Sequence, residues 1–143
     1  MLPAFSIVIP CFNEEARIGQ TLRLTLDYLA ANTPESELIV VNDGSTDSTG
    51  ATARERLKSA QVGTRLLENF PNRGKGAAVR SGLLAARTAI GLFSDADLST
   101  PLEETPKLIE PIADGEVDIA FGSRALDRSL IGIHQPWRRD NRA

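Results

Sequence analysis

The chain contains very few of the residues on which nucleophilic and zinc hydrolases depend. Among 143 residues there is one cysteine, Cys11, and one histidine, His134. A single cysteine cannot form a disulfide within the chain, which fits a reducing compartment. A lone imidazole has no second histidine with which to hold zinc, and no Gly-x-Ser-x-Gly elbow follows a predicted strand. These counts argue against the hydrolase classes.

Long apolar runs and an excess of positive charge are also missing. No stretch approaches the ~20 apolar residues that a membrane-spanning helix needs, and residues 1–10 lack the features of a secretory signal. We therefore expect that this chain does not cross a membrane by itself. The formal net charge is -3, which argues against a nucleic-acid binder, because such proteins neutralise many phosphates with Lys and Arg. If the protein binds phosphate, it must do so with a few positive residues at one site and not with a broad positive surface.

Short β-branched runs alternate with longer stretches of helical period. The runs predict strands at residues 5–10, 38–42, 65–67, 90–94 and 117–123, and the stretches predict helices at residues 15–31, 46–60, 76–89 and 101–112. In the first helix Ile18, Leu22 and Leu29 belong to one apolar stripe. The alternation predicts an α/β fold with a mostly parallel sheet and helices on both faces.

Polar, charged or glycine residues follow every predicted strand. They lie at residues 10–15, 43–47, 72–76, 95–97 and 122–124. In open α/β sheets, ligands bind beyond the carboxyl ends of the strands. Five such segments at one rim of the sheet therefore predict a binding site there.

Asp95-Ala96-Asp97 is the most informative of these segments. In an extended stretch, residues two apart project to the same side, so Asp95 and Asp97 would approach one cation while the small Ala96 turns away. A magnesium-like ion takes one or two protein carboxylates and completes its shell with water and substrate phosphates. The alternative is a solvated loop with two acids, but the position after a strand favours a metal site that neutralises a diphosphate.

Two further loops have a structural and a functional interpretation. Asp43-Gly44-Ser45 allows a tight turn, in which Asp43 faces the rim and accepts hydrogen bonds from a nucleobase. Its alternative is a helix N-cap at Ser45 or Thr46. Asn72-Arg73-Gly74-Lys75-Gly76 puts two cations among two glycines, which suits a phosphate or a base. It matches neither a Walker A loop nor a dinucleotide fingerprint, and a plain glycine-rich loop stays an alternative.

In their order and spacing, these motifs resemble those of family 2 glycosyltransferases with the GT-A fold. The resemblance lies in residues 8–14, 41–47, 72–76 and 95–97, and residues 93–101 and 121–124 are most similar to dolichyl-phosphate β-glucosyltransferases, with dolichol-phosphate mannosyltransferases close behind. It implies a Rossmann-like nucleotide-sugar (donor) domain over residues 1–125. Residues 126–143 would begin an acceptor-side segment, which we expect to be incomplete because family members continue further.

The resemblance also implies the residues of the donor site. The nucleotide sugar would be bound by Pro10, Phe12, Asn13, Glu14, Asp43, Arg73, Lys75, Asp95, Ala96 and Asp97. Arg73 and Lys75 would lie near the base and the diphosphate. Asp95 and Asp97 would bind the diphosphate through Mg²⁺ or Mn²⁺, and Asp97 would be a catalytic residue.

The implied reaction moves glucose from UDP-glucose onto a polyprenyl phosphate such as dolichyl phosphate, with inversion at the anomeric carbon. Arg124 and Arg138, also implied as catalytic, would grip the acceptor phosphate together with Arg139, because guanidinium groups match phosphate oxygens. An ionised phosphate needs no strong general base, so positioning and charge stabilisation would carry the rate. The implied location is the cytoplasmic face of a membrane, with peripheral membrane association of the full-length protein.

Three alternatives stay open at this point. The donor could be GDP-mannose, or the acceptor a saccharide hydroxyl, within the same enzyme class. The chain could instead be a nucleotide-binding module without turnover. A nucleotidyltransferase is disfavoured because no glycine-rich signature loop lies near the first strand. Nothing in the sequence fixes the oligomeric state.

Overall fold

The computed structural model describes residues 2–122, which form a parallel four-stranded sheet. The strands are β1 (Ser6–Cys11), β2 (Glu37–Asp43), β3 (Gly63–Asn69) and β4 (Gly91–Phe93). They lie in the order β3-β2-β1-β4, and each neighbouring pair is parallel. The predicted α/β fold class is confirmed.

Four helices connect and cover the strands. They are α1 (Ile18–Asn32), α2 (Thr49–Leu57), α3 (Lys75–Ala85) and α4 (Thr105–Ala113), and a short 3₁₀ turn, Leu102–Glu104, precedes α4. The four predicted helices are thus confirmed with shifted ends. Helix α3 stops at Ala85 instead of residue 89, because Ala86 takes an extended conformation with ψ 138°. In the part of the chain that the structure describes, no helix has the length and apolar character needed to cross a membrane.

The central strands are buried on both faces, as expected where helices cover both sides of a parallel sheet. Ile7 and Ile9 of β1 pack in the core cluster that contains residues of α1 and α2. Val8, between them, packs on the opposite face with Ala78 of α3. On that face, a Cβ at Gly82 would collide with the side chain of Val8, so this glycine lets α3 lie directly on the sheet.

The predicted fifth strand is wrong for the residues that the structure describes. Residues 117–122 belong to no strand. Their apolar members Val117, Ile119 and Phe121 are 41%, 80% and 75% exposed. An apolar alternation becomes a strand only when a neighbouring strand supplies hydrogen bonds and a packed layer covers one face. Over residues 2–122, β4 pairs with β1 alone and its other edge is free, but residues 117–122 do not pair with that edge and no packed layer covers their apolar side chains.

A buried carboxylate ties the opposite, amino-terminal edge of the sheet together. Glu37 at the start of β2 accepts hydrogen bonds from the Ser6 hydroxyl at 2.6 Å and from the Arg87 N–H at 2.7 Å. It also forms an ion pair with Arg65 of β3 at 3.2 Å. Burial by itself raises the pKa of Glu37, but these hydrogen bonds and the Arg65 charge outweigh burial and lower the pKa. The ionised form is therefore the one that the fold stabilises.

Replacement of this carboxylate gives a prediction for stability. Glu37→Gln should lower the free energy of unfolding by about 1–3 kcal/mol at neutral pH, because it removes charged acceptors from buried donors. Since the folded pKa is depressed, the contribution of Glu37 is present above the unfolded value of about 4.3 and is lost as the pH falls through the folded value. Urea titrations at decreasing pH should show the gap between wild type and variant closing.

The matched control is Glu55→Gln, which removes a carboxylate from an exposed pair with Lys58. It should change stability by less than about 0.5 kcal/mol at any pH. If the difference in free energy of unfolding between wild type and Glu37→Gln stays constant as the pH falls, ionised Glu37 does not stabilise the fold.

Candidate active site

The strand order creates a crevice at the carboxyl edge of the sheet. The chain runs outward from β1 to β2 and β3, and then returns to place β4 on the other side of β1. Ligands of open α/β sheets bind where the order reverses in this way. An open cleft of about 350 Å³ lies there, lined by Pro10, Cys11, Phe12, Glu14, Asp43, Asn72, Lys75, Ala78, Asp95, Ala96 and Asp97. The structure thus brings together the predicted donor residues with the exceptions of Asn13 and Arg73.

Both aspartates after β4 line this cleft, while Ala96 between them is 5% exposed and packs in the core. The extended geometry predicted for them is wrong, however. Residues 96 and 97 form a turn, which the Leu98 N–H closes with a 3.1 Å hydrogen bond to the Asp95 carbonyl. The Thr21 hydroxyl of α1 donates to the Ala96 carbonyl at 2.5 Å. From this turn, both carboxylates line the same cleft. The hydrogen bond from Thr21 attaches the turn to α1.

A cation already contacts one of these acids. The Lys75 ammonium, at the first residue of α3, forms an ion pair with Asp95 Oδ1. Asp97 Oδ1 accepts a 3.0 Å hydrogen bond from the Ser99 N–H. No group of three or more His, Cys, Asp or Glu side chains suited to a metal occurs among residues 2–122. The two carboxylates at the open cleft are oxygen ligands of the kind that Mg²⁺ or Mn²⁺ accepts when a ligand and water supply its other oxygens.

Asp43, at the end of β2, fixes the glycine-rich loop in place. Its Oδ1 accepts from the Arg73 N–H and its Oδ2 from the Gly74 N–H, each at 2.9 Å. The Asn69 amide adds a 3.3 Å contact to Oδ1. Asp43 is 2% exposed, and its carboxylate accepts from two backbone N–H groups of the loop and from the Asn69 amide. That it also accepts from a nucleobase stays a prediction.

Asn72 is a cleft residue that sequence reasoning did not select. Its amide donates to the Asp43 carbonyl at 2.9 Å, and its Oδ1 accepts from the Gly74 N–H at 3.0 Å. Gly44 has a φ of 70°, and a Cβ there would come within 2.4 Å of the Asn72 backbone nitrogen. The predicted need for glycine at the turn is confirmed, because two backbones meet there. The only cue to Asn72 was its place at the head of the glycine-rich motif.

Asn13 bonds to a neighbouring loop and is not among the residues that line the cleft. It adopts a left-handed φ of 51°. Its N–H donates to the Ser45 hydroxyl at 3.0 Å, and its Oδ1 accepts from the Thr46 N–H at 2.9 Å. The predicted N-cap at Ser45 or Thr46 is wrong, because α2 begins at Thr49 and the Asp47 carboxylate accepts from the Thr49 N–H.

Cys11 lies at the cleft but is almost fully buried. Burial, followed by the charges of Glu14, Asp47 and Asp43, raises the pKa of its thiol to about 12. The neutral thiol that results is a poor nucleophile, and Cys11 packs in the core cluster. Glu14 also lines the cleft and forms an ion pair with Arg17 at 2.7 Å.

The predicted acceptor residues Arg124, Arg138 and Arg139 lie outside the described residues, and so do His134 and the whole segment 126–143. Their roles stay predictions.

The family model for glycosyl transferase family 2 matches residues 6–135. The chain belongs to this family. Among its relatives is the dolichyl-phosphate β-glucosyltransferase of Drosophila melanogaster, which is 41% identical over 145 residues. The match covers 93% of this chain and 44% of the relative, so the family 2 chain spans less than half of that protein's length.

Two solved structures share the fold of this family 2 chain. Glucosyl-3-phosphoglycerate synthase from Mycobacterium tuberculosis, in complex with Mn²⁺, UDP-glucose and phosphoglyceric acid, gives a TM-score of 0.60 at 30% identity, covering 79% of this chain and 40% of its own. Mannosyltransferase PcManGT from Pyrobaculum calidifontis, in complex with GDP-Man and Mn²⁺, gives a TM-score of 0.60 at 27% identity. That match covers 73% of this chain and 30% of the mannosyltransferase chain. The predicted GT-A architecture is confirmed.

The bonds from Asp43 to the loop predict a local effect. Asp43→Asn retains one acceptor oxygen where the carboxylate offers two, so one of the two backbone donors loses its partner. Hydrogen exchange at whichever of the Arg73 and Gly74 amides loses its partner should become faster by about tenfold, the scale of one hydrogen bond to a charged acceptor.

As a control, Asp27→Asn on the exposed side of α1 should leave the exchange of these two amides unchanged. If Asp43→Asn folds and both amides keep wild-type protection, Asp43 does not hold the loop.

Proposed function

We propose that this chain forms the donor site of an inverting glycosyltransferase that moves glucose from UDP-glucose onto a polyprenyl phosphate such as dolichyl phosphate. One observation carries the proposal. Asp95 and Asp97 line the same cleft as Asp43 and Lys75, at the point where the strand order of a family 2 chain reverses. The 41% identity to a dolichyl-phosphate β-glucosyltransferase supports the choice of sugar and acceptor.

The cleft has the charges that a diphosphate requires. Asp95 and Asp97 would hold Mg²⁺ or Mn²⁺, which neutralises the diphosphate and stabilises it as it departs. The two Mn²⁺-containing neighbours support the presence of a divalent ion. Lys75, opposite Asp95, would add a second positive charge from the protein. Its position at the first residue of α3 adds the positive end of the helix dipole.

The nucleoside would lie against the end of β1. Pro10 and Phe12 line the cleft, and the ring of Phe12 is 47% exposed there. An aromatic ring that is apolar on its face offers a base a stacking surface. Asp43 supports this side indirectly through the loop that it holds. Its Oδ2 has one protein donor in the described structure, the Gly74 N–H, so a lone pair of this oxygen is our candidate acceptor for a base N–H.

The transfer itself is a single displacement. An oxygen of the acceptor phosphate forms the new bond to the anomeric carbon as the bond to the diphosphate oxygen breaks, and its electron pair leaves with UDP. The acceptor oxygen is already ionised, so no side chain has to remove a proton. Arg124, Arg138 and Arg139 are our candidates for orienting that phosphate. Because a polyprenyl chain resides in lipid, the reaction would occur at a membrane surface, and we propose the cytoplasmic face.

GDP-mannose is the second candidate donor. The PcManGT complex contains GDP-Man and reaches the same TM-score as the UDP-glucose complex, so the fold alone does not choose the base. Thermal unfolding with UDP or GDP, each with and without Mn²⁺, separates the two. The nucleotide that binds the folded state should raise the melting temperature in a concentration-dependent way, and we expect UDP to do so.

The metal assignment predicts the behaviour of Asp97→Ala. Loss of one of two metal ligands should weaken UDP binding in the presence of Mn²⁺ by more than about tenfold, measured by calorimetry. The side chain is exposed, so the free energy of unfolding should change by less than about 0.5 kcal/mol.

Asp114→Ala, which removes an exposed acid at the C-terminal end of α4, is the control. It should bind UDP with Mn²⁺ as the wild type does. Equal affinity of Asp97→Ala and wild type would refute the metal assignment. Release of UDP from UDP-glucose and a polyprenyl phosphate then tests turnover, and binding without release would identify a nucleotide-binding module instead.

A further inference from the structure

The ion pair between Lys75 and Asp95 connects two parts of the cleft that no other ion pair of the described residues joins. Lys75 begins α3, which follows the glycine-rich loop after β3. Asp95 follows β4, on the opposite side of β1. The contact therefore crosses the crevice in which the diphosphate is proposed to bind. The inference that follows rests on that proposed function.

The start of α3 is fixed independently of Asp95. Asp43 holds the N–H groups of Arg73 and Gly74, and Gly74 takes a φ of 95° immediately before the helix. A Cβ built on Gly74 or Gly76 meets no atom within 4 Å. Asp43 thus holds the backbone at the start of α3, and the space beside the two glycines is empty. Because Asp43 holds the loop and the Lys75 side chain is largely exposed, we expect that the ammonium can change partner while the loop stays in place.

The strength of the contact also suits an exchange. The Lys75 and Asp95 side chains are 58% and 46% exposed, and solvent screens ion pairs of this kind, which contribute little to stability. Without a cation nearby, Asp95 and Asp97 would repel each other across the turn. In the ligand-free protein, Lys75 supplies that positive charge. Breaking its exposed ion pair with Asp95 costs little free energy.

We propose that Lys75 is a placeholder for the metal ion. In the ligand-free protein its ammonium neutralises Asp95 and competes with a divalent cation for that carboxylate. When a metal–diphosphate complex binds, Asp95 would release the ammonium and hold the metal, and the Lys75 ammonium would contact the diphosphate. Lys75 is then a positioning residue with opposite effects in the two states: it weakens the binding of the metal alone and strengthens the binding of the metal with nucleotide.

Mn²⁺ titrations of the 143-residue chain test this exchange, with free Mn²⁺ followed by electron paramagnetic resonance. Lys75→Met should bind Mn²⁺ alone about three- to fivefold more tightly than wild type, the range that an exposed ion pair allows. In the presence of UDP the same variant should bind more weakly than wild type, by about tenfold, because a charge-assisted contact to phosphate is lost. A residue that merely maintained the fold would shift both affinities in one direction.

Two variants control for charge and for the loss of any lysine. Lys75→Arg keeps the charge and should bind Mn²⁺ alone as weakly as wild type. Lys58→Met, which breaks an exposed Lys–Glu pair on the distant α2 side, should match wild type in both titrations.

The outcomes separate this inference from the proposed function. If wild type binds UDP with Mn²⁺ but Lys75→Met leaves the affinity for Mn²⁺ alone unchanged or lower, the placeholder role is wrong and the donor site stands. If Lys75→Arg behaves like Lys75→Met, the charge is not the cause and the role is likewise wrong. If wild type binds no UDP with Mn²⁺, the proposed function fails, and the exchange fails with it.

Discussion

Strand β1 is hydrogen-bonded on both sides, to β2 over six residue pairs and to β4 over three. Because all three strands are parallel, their carboxyl ends meet at one edge, and the residues that follow them are forced together. Pro10 and Phe12, Asp43, and the two aspartates after β4 come from distant parts of the sequence and share a cleft for this reason. The site depends on the register of β1 more than on any single polar contact.

The loops at this edge hold one another as well as facing a ligand. Asn13 bonds to the loop after β2, and Asp43 bonds to the loop before α3. Lys75 then reaches from α3 to Asp95. Each of these contacts uses a side chain that the sequence motifs also mark for donor binding. A pre-formed arrangement of this kind lowers the cost of ordering the site when a ligand binds.

The electrostatics of the cleft are balanced locally and not by the chain as a whole. The formal net charge of -3 would repel a nucleotide sugar, yet the ligand-free cleft pairs an acid with a lysine. In the exchange that we propose, a metal bound to a diphosphate would replace Lys75 at Asp95. The cleft would then suit an anion that brings its own cation.

Sequence reasoning predicted much of the fold and of the site. The α/β alternation, four of the strands and the set of segments at the rim follow from periodicity and from residue type, because burial on both sides imposes apolar runs on β1 and β2. The fifth strand did not follow. Val117, Ile119 and Phe121 have the alternation of a strand, but the described residues give them no partner, and a one-dimensional pattern carries no information on pairing.

The sequence by itself determined which chemical groups stand at each strand end, since residue type and spacing are local properties. It fixed the two aspartates, the lysine between glycines and the need for glycine at position 44. Only the tertiary structure decided how these groups are used: a turn in place of an extended pair at residues 95–97, Asn13 committed to a neighbouring loop, Asp43 bound to backbone N–H groups, and Lys75 bound to Asp95. Apart from the hydrogen bond that closes the turn itself, those choices depend on contacts between residues distant in the sequence, from Lys75–Asp95 to Thr21–Ala96, which arise only when the parallel strands assemble.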